Sequence, residues 1–389
     1  MKKIFILFFV FVIVSIFIYG TSFSWEGEMR TRSSNYKFLY YDDSKSVMDT
    51  RVRLYTTATM SDNLKAVVGF EIGDFEWGND DHNADYENVE VKNAYLEFSP
   101  DMIDMLTFRV GLQSYADPFG SAVFDEDAAG IMVMPEFDGF NMKAGFFVLE
   151  DDDVENDSHT FGIIDMSKEM DALSLKGSFY YNTIRESYTS IYLGAGVDYM
   201  INDDLGVGGH FLYMSWKLDP DIDDYDAQGY FGYLYGEYTM DKFSAKVNFG
   251  YTPADNSMDD PVFFNGVQPY PYLYGLEYFF PGDVYDKVAA QWGYGSIPWM
   301  GSLGSMVLSA NLKYDFLFAN IGFLNTTAEN YDKSNLGTEI DFGIDYDLTE
   351  KLNFKAVYVM FSVGEFYETY TPADNDSAYE LSTQLIYKF

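Results

Sequence analysis

Between Tyr379 and Phe389 the chain alternates. Tyr379, Leu381, Leu385 and Tyr387 fall on one face of an extended segment, and Glu380, Ser382, Gln384 and Lys388 on the other, with Ile386 the exception. A period of two lets a strand bury one face and wet the other. The rhythm recurs upstream. In Leu173–Tyr181 one face carries Leu173, Leu175, Gly177, Phe179 and Tyr181, the other Ser174, Lys176, Ser178 and Tyr180. Phe243–Tyr251 sets Phe243, Ala245, Val247, Phe249 and Tyr251 against Ser244, Lys246 and Asn248. Leu336–Tyr346 sets Thr338, Ile340, Phe342 and Ile344 against Glu339, Asp341 and Asp345.

Short polar turns punctuate these segments. They fall at Ser61–Asn63, Ser99–Asp104, Pro135–Gly139, Ser167–Asp171, Ile201–Asp204, Met240–Lys242, Asp315–Phe318 and Asp347–Lys351. Asp, Asn, Ser and Gly suit such places because they bond their own backbone or tolerate positive φ. Eight hairpins plus a first strand near 25–40 and a last near 378–389 predict eighteen antiparallel strands. Sixteen is the alternative, with Gly130–Glu136 the weakest strand. Longer, mostly acidic loops separate the hairpins, the longest at Thr252–Ser302, placed to fold over a mouth or touch a neighbour.

The first residues read as an export leader. Lys2 and Lys3 precede an apolar run from Ile4 to Tyr19, and small residues follow, giving cleavage after Gly20 or, with the better small-x-small match, after Ser24. Residues 25–389 contain no second long apolar run, yet 48% of the chain is hydrophobic and 19% aromatic. Alternation reconciles the two: an all-β transmembrane barrel spreads its apolar residues over an outer face instead of in blocks. An even strand number puts both termini and the short turns on the periplasmic side of an outer membrane. Cysteine is absent, which removes disulfides and thiolate chemistry. The net charge of −38 sets up a field that favours cations and repels nucleic acid.

Charged residues on the inward face imply water inside, since so many could not be buried dry. Arg30 and Arg32 lie on the first strand, Arg51 and Arg53 on the second and Arg109 on the fifth. Alternation with Val52 and Leu54 turns Arg51 and Arg53 to the lumen. Phe108 and Val110 do the same for Arg109, and Met142 and Ala144 for Lys143.

After Arg109 comes a long segment, Gly111–Gly130, containing the acidic triplet Asp125, Glu126 and Asp127. From Asp49-Thr-Arg-Val-Arg-Leu through Val67–Asp74 to about Leu149 the chain resembles the general porins of Gram-negative outer membranes, and among them the homotrimeric group. The closing strand ending on Phe389 is similar to theirs as well. The resemblance implies that a third loop, about 115–130, folds into the lumen. Asp125, Glu126 and Asp127 would then oppose a basic wall of Arg30, Arg32, Arg51, Arg53, Arg109 and Lys143. It also implies a homotrimer. Those porins have sixteen strands, a departure from the count here.

Catalysis has little to stand on. His82, His159 and His210 have no Ser and Asp arrangement that would activate a nucleophile. The acidic runs at 150–153 and 221–226 lack the glycine spacing of a calcium loop and read as solvated. No cofactor or metal is expected. The reading is a water-filled outer-membrane pore for passive diffusion of small hydrophilic solutes and ions, leaning to cations. The alternatives are a carboxylate-selective channel using the arginines as a ladder, and a non-transport surface barrel.

Overall fold

A computed structural model describes residues 21–37, 44–78, 89–103, 105–137, 139–152, 157–219, 226–255, 262–267, 273–276, 304–329, 331–370 and 377–389. Eighteen strands follow in chain order. They are β1 (Ser22–Lys37), β2 (Lys45–Ser61), β3 (Leu64–Glu76), β4 (Val89–Phe98), β5 (Leu106–Ala116) and β6 (Asp125–Phe137). Next come β7 (Phe140–Asp152), β8 (Asp157–Met170), β9 (Leu173–Ile184), β10 (Tyr188–Met200), β11 (Leu205–Leu218) and β12 (Asp226–Met240). The last are β13 (Phe243–Thr252), β14 (Ser305–Tyr314), β15 (Leu317–Asn325), β16 (Asn335–Thr349), β17 (Leu352–Val363) and β18 (Ala378–Lys388). A six-residue helix, α1 (Glu365–Tyr370), precedes β18.

Every strand pairs antiparallel with its sequence neighbours, and β1 also pairs with β18, so the sheet has no free edge. Closure removes the unpaired backbone that lipid could not satisfy. At the seam the Gly27 and Phe389 backbones exchange two hydrogen bonds of 3.0 Å, which ties the carboxy-terminal residue into the wall. The eight tight turns fall where the polar punctuation puts them, and the segment expected to be weakest, Gly130–Glu136, lies within the 13-residue β6.

The outer face is apolar. Leu234, Phe146 and Phe342 are 62%, 55% and 54% exposed, while their strand neighbours Tyr233, Phe147 and Asp341 are almost wholly buried. Tyr199, Tyr314, Tyr346 and Phe389, near the short-turn ends, are exposed aromatics of the kind that sit at a membrane interface. A closed eighteen-strand barrel with this coat is an outer-membrane β-barrel.

The interior is not wet throughout. Phe147, Phe161, Tyr180, Tyr192, Leu212, Met214, Phe231 and Tyr233 point inward from β7–β12, and all lie in one buried apolar cluster. Two loop segments supply their partners. One is Asp117–Phe124, between β5 and β6; the other is residues 262–267 and 273–276 of the long β13–β14 loop. The cluster continues onto β14–β18 through Val307, Leu324, Leu336, Phe361 and Ala378.

Candidate pore lining and its constriction

The β5–β6 hairpin leaves the wall. β4 and β5 pair only as far as Ala94↔Leu112, whereas β5 and β6 stay paired to Ala116↔Asp125. The departure begins at Gly111, whose φ is +131° and where a Cβ would sit 2.2 Å from the Ala94 carbonyl oxygen. Only glycine fits there. Freed from β4, the hairpin carries its tip across the lumen. The Phe119 ring lies 5.5 Å from that of His210 on β11, edge-on, and fills the place where Gly194 of β10 has no side chain. Phe124 stacks on Phe161 at 4.7 Å, and the Val123 carbonyl accepts a 2.8 Å bond from the Val267 amide.

Asp117 fixes the shape of the tip. Its carboxylate accepts the amides of Phe119, Val123 and Phe124 at 2.7, 2.6 and 2.9 Å. Burial pushes its carboxyl up to about 6, with the three amides working the other way and Asp165 adding to the rise.

The hairpin thus divides the interior. One face packs on the aromatic cluster through Tyr115 and Ala128. The other looks toward β1–β4, where the arginines stand. The acidic triplet is not in the loop: Asp125, Glu126 and Asp127 open β6. Asp127 pairs with Lys92 at 2.7 Å and takes the Ser114 hydroxyl. Lys92 stands within electrostatic reach of Glu71 and Arg53. Asp125 accepts the Ser121 hydroxyl at 2.7 Å, and Glu126, on the alternate face, is exposed. Among the described residues none of the three forms an ion pair with Arg51, Arg53 or Arg109.

The basic residues line up as a column of pairs. Arg32 Nε meets Asp49 at 3.0 Å, Arg30 Nη2 meets Asp74 at 2.6 Å and Arg51 Nη2 meets Glu28 at 3.5 Å. These three arginines, nearer the long-loop end, are buried. Lower down, Arg53 pairs with Glu71, and Arg109 and Lys65 share Glu97 at 2.7 Å each. Arg109 also covers the Tyr95 ring at 4.7 Å. Arg53, Lys65, Lys92 and Arg109 keep side-chain exposures of 24–41%, and Lys143 is exposed. Water therefore reaches the lower cations and not the upper ones.

Two participants escaped sequence reasoning. Lys65 was readable, since it alternates with Leu64 and Ala66. Lys92 was not, because the β3–β4 register slips between Gly69 and Phe70 and upsets the parity of β4. His210 faces inward, into the aromatic cluster. His82 and most of the two acidic runs lie outside the described residues. Among those described, no group of three or more His, Asp or Glu is placed to hold a metal ion.

No protein-family model matches the sequence. No curated protein matches it either. Solved structures do. The outer membrane protein OpdK from Pseudomonas aeruginosa superposes with a TM-score of 0.61 at 9% identity, over 95% of this chain and 98% of that one. OccAB4 of Acinetobacter baumannii gives 0.60 at 12%, covering 95% and 98%. OprD of Pseudomonas aeruginosa gives 0.57 at 14%, covering 95% of each. At such identities the likeness is one of fold. It extends to the OprD and Occ barrels of Gram-negative outer membranes and lends nothing to the homotrimeric general-porin grouping. In fold, this chain is an eighteen-strand outer-membrane barrel similar to theirs.

Proposed function

We propose that the barrel is a pore through which small hydrophilic solutes and ions diffuse passively, with a lean toward cations. The observation that carries this is the divided lumen. Aromatic packing closes one side, and the other keeps a strip of ion pairs whose lower members are wet. Each pair is weak in water, so the strip offers polar contacts without a deep trap. The opposed Lys92–Asp127 pair and the Arg53–Glu71 pair behind it supply a transverse field that orders water and disfavours apolar solutes. The acidic excess of the whole chain supplies the cation lean.

A second reading has its own support. The cations are stepped down one wall from Arg32 through Arg30, Arg51 and Arg53 to Arg109, and Lys143 has no carboxylate partner among the described residues. That is a ladder along which a carboxylate could pass. Planar-bilayer recordings separate the readings. Ohmic, cation-leaning current supports the general pore, and saturation by one organic anion supports the ladder. Absence of any conductance would leave a non-transport surface barrel.

Two attendant proposals concern processing and assembly. Ser22–Ser24 already pair with Thr57–Thr59 of β2, which favours removal of the leader after Gly20 over removal after Ser24; amino-terminal sequencing of membrane-extracted protein checks it. Assembly into trimers rests on the general-porin resemblance alone, and light scattering in detergent tests it.

A further inference from the structure

A cavity of about 590 Å³ opens on the lumenal face of β5–β8, and Ala116 and Pro118 of the inward hairpin line it from the long-loop side. Three carboxylates, Glu97, Glu136 and Asp165, and two cations, Arg109 and Lys143, also line it. Which of the five are already engaged decides what the cavity can hold.

Glu97 is shared by Arg109 and Lys65 at 2.7 Å each, which occupies Arg109 as well. Asp165 accepts hydroxyls on both carboxylate oxygens, from Tyr115 at 2.7 Å, Tyr180 at 2.8 Å and Ser178 at 2.6 Å. The remaining two are opposite in sign. Glu136 on β6 and Lys143 on β7 are both exposed, and neither forms an ion pair among the described residues, not even with the other.

The register sets their spacing. Glu136 lies opposite Asn141, two residues before Lys143 on the same face of β7. Diagonal neighbours of this kind start about 7 Å apart. Asn141 also lies opposite Ser167 of β8, so an amide and a hydroxyl flank the two charges, and both line the cavity. A lone anion drawn to Lys143 meets Glu136 and Asp165 beside it, and a lone cation drawn to Glu136 meets Lys143. A molecule carrying both charges suits both ends.

We propose that this cavity holds net-neutral zwitterions whose ammonium and carboxylate are spaced as in a dipeptide. The carboxylate sits on Lys143, the ammonium on Glu136, and the peptide group between them against Asn141 and Ser167. Two extended residues span about 7 Å, which matches the diagonal. An α-amino acid, with both charges on one carbon, is too short to bridge it. Lumenal water keeps each contact weak, so the solute pauses and moves on. The assignment deepens the pore reading by naming a solute class, and it rests on that reading for the route by which the solute arrives.

Saturation-transfer NMR on the full chain in detergent micelles measures binding without requiring conduction. Glycylglycine is expected to bind saturably. N-acetylglycylglycine and glycylglycinamide, each lacking one charge, should bind about tenfold more weakly, as should glycine. Lys143→Gln and Glu136→Gln should each weaken glycylglycine by a similar factor. Exchanging the charges, Lys143→Glu with Glu136→Lys, should restore most of the affinity, because the dipeptide can lie the other way round; a misfolded variant would not recover. Unchanged affinity in either glutamine variant overturns the site. Equal binding by glycine or by either blocked analogue overturns the two-charge spacing. Absence of saturable glycylglycine binding overturns the proposal and leaves the pore reading to the bilayer recordings.

Discussion

Arg30 and Arg51 stand directly opposite one another across the β1–β2 ladder. Like charges so placed destabilise a sheet. The arrangement persists because carboxylates approach each from outside the pair: Asp74 at 2.6 Å from Arg30 and Glu28 at 3.5 Å from Arg51. Rows above and below alternate in sign, Arg32 opposite Asp49 and Glu28 opposite Arg53. The first two strands thus form a charge lattice in which the acids hold the arginines in place.

Removing an acid from the buried part of that lattice should cost more than removing one from the surface. Asp74→Asn removes the carboxylate that Arg30, almost wholly buried, meets at 2.6 Å, and a loss of about 1.5–3 kcal/mol is expected for a hydrogen bond to a charged group. Urea unfolding followed by the heat-dependent gel shift of the barrel measures it. Asp315→Asn, which breaks the exposed Lys242–Asp315 pair, should leave the midpoint where it is. Equal effects of the two would show that the lattice contributes nothing special.

The seating of the inward loop depends on one ring meeting one missing side chain. Phe119→Ala removes a fully buried ring, a change worth about 3–5 kcal/mol in a packed core. Gly194→Val builds a side chain where that ring lies. Both should raise and roughen single-channel conductance, because the loop no longer holds its place. Quiet, unchanged currents in both variants would mean that the tip does not bound the conducting path.

Neutralising Asp125, Glu126 and Asp127 together should reduce cation preference, read as a shift of reversal potential in a salt gradient. Most of the shift is expected from Asp127→Asn alone, since that change also releases Lys92 from its 2.7 Å pair. A reversal potential that stays put in the triple variant would place the narrowest point elsewhere.

Loop seating should also depend on pH through Asp117. Its carboxyl lies at about 6 in the seated loop and would fall to the ordinary carboxylate value near 4 in a released, solvated one. The seated form therefore binds the proton more tightly. Seating is strengthened as pH falls through 6 toward 4, and it is weakest above 6, by up to about 3 kcal/mol. Fewer loop-opening events are expected at pH 4.5 than at pH 7.5, and Asp117→Asn should abolish the difference. More frequent opening in acid would reverse the sign of the argument.

The sequence by itself determined the barrel. A strand's side chains alternate by geometry, so the apolar and polar sets of Leu173–Tyr181 or Phe243–Tyr251 could be assigned without neighbours, and polar turns counted the strands. Inward placement of Arg51, Arg53, Arg109 and Lys143 followed from the same parity. What the parity could not give was the company each inward residue keeps. Tyr180 and Asn248 read alike as lumenal positions, yet both are dry because loop segments far away in sequence pack on them or beside them. Lys92 was lost to a bulge, and the split of β5 from β4 needed the register on both sides of Gly111. Pairing across a lumen depends on contacts between residues distant along the chain, which local alternation does not encode. Only the closed tertiary structure decided which charges meet water.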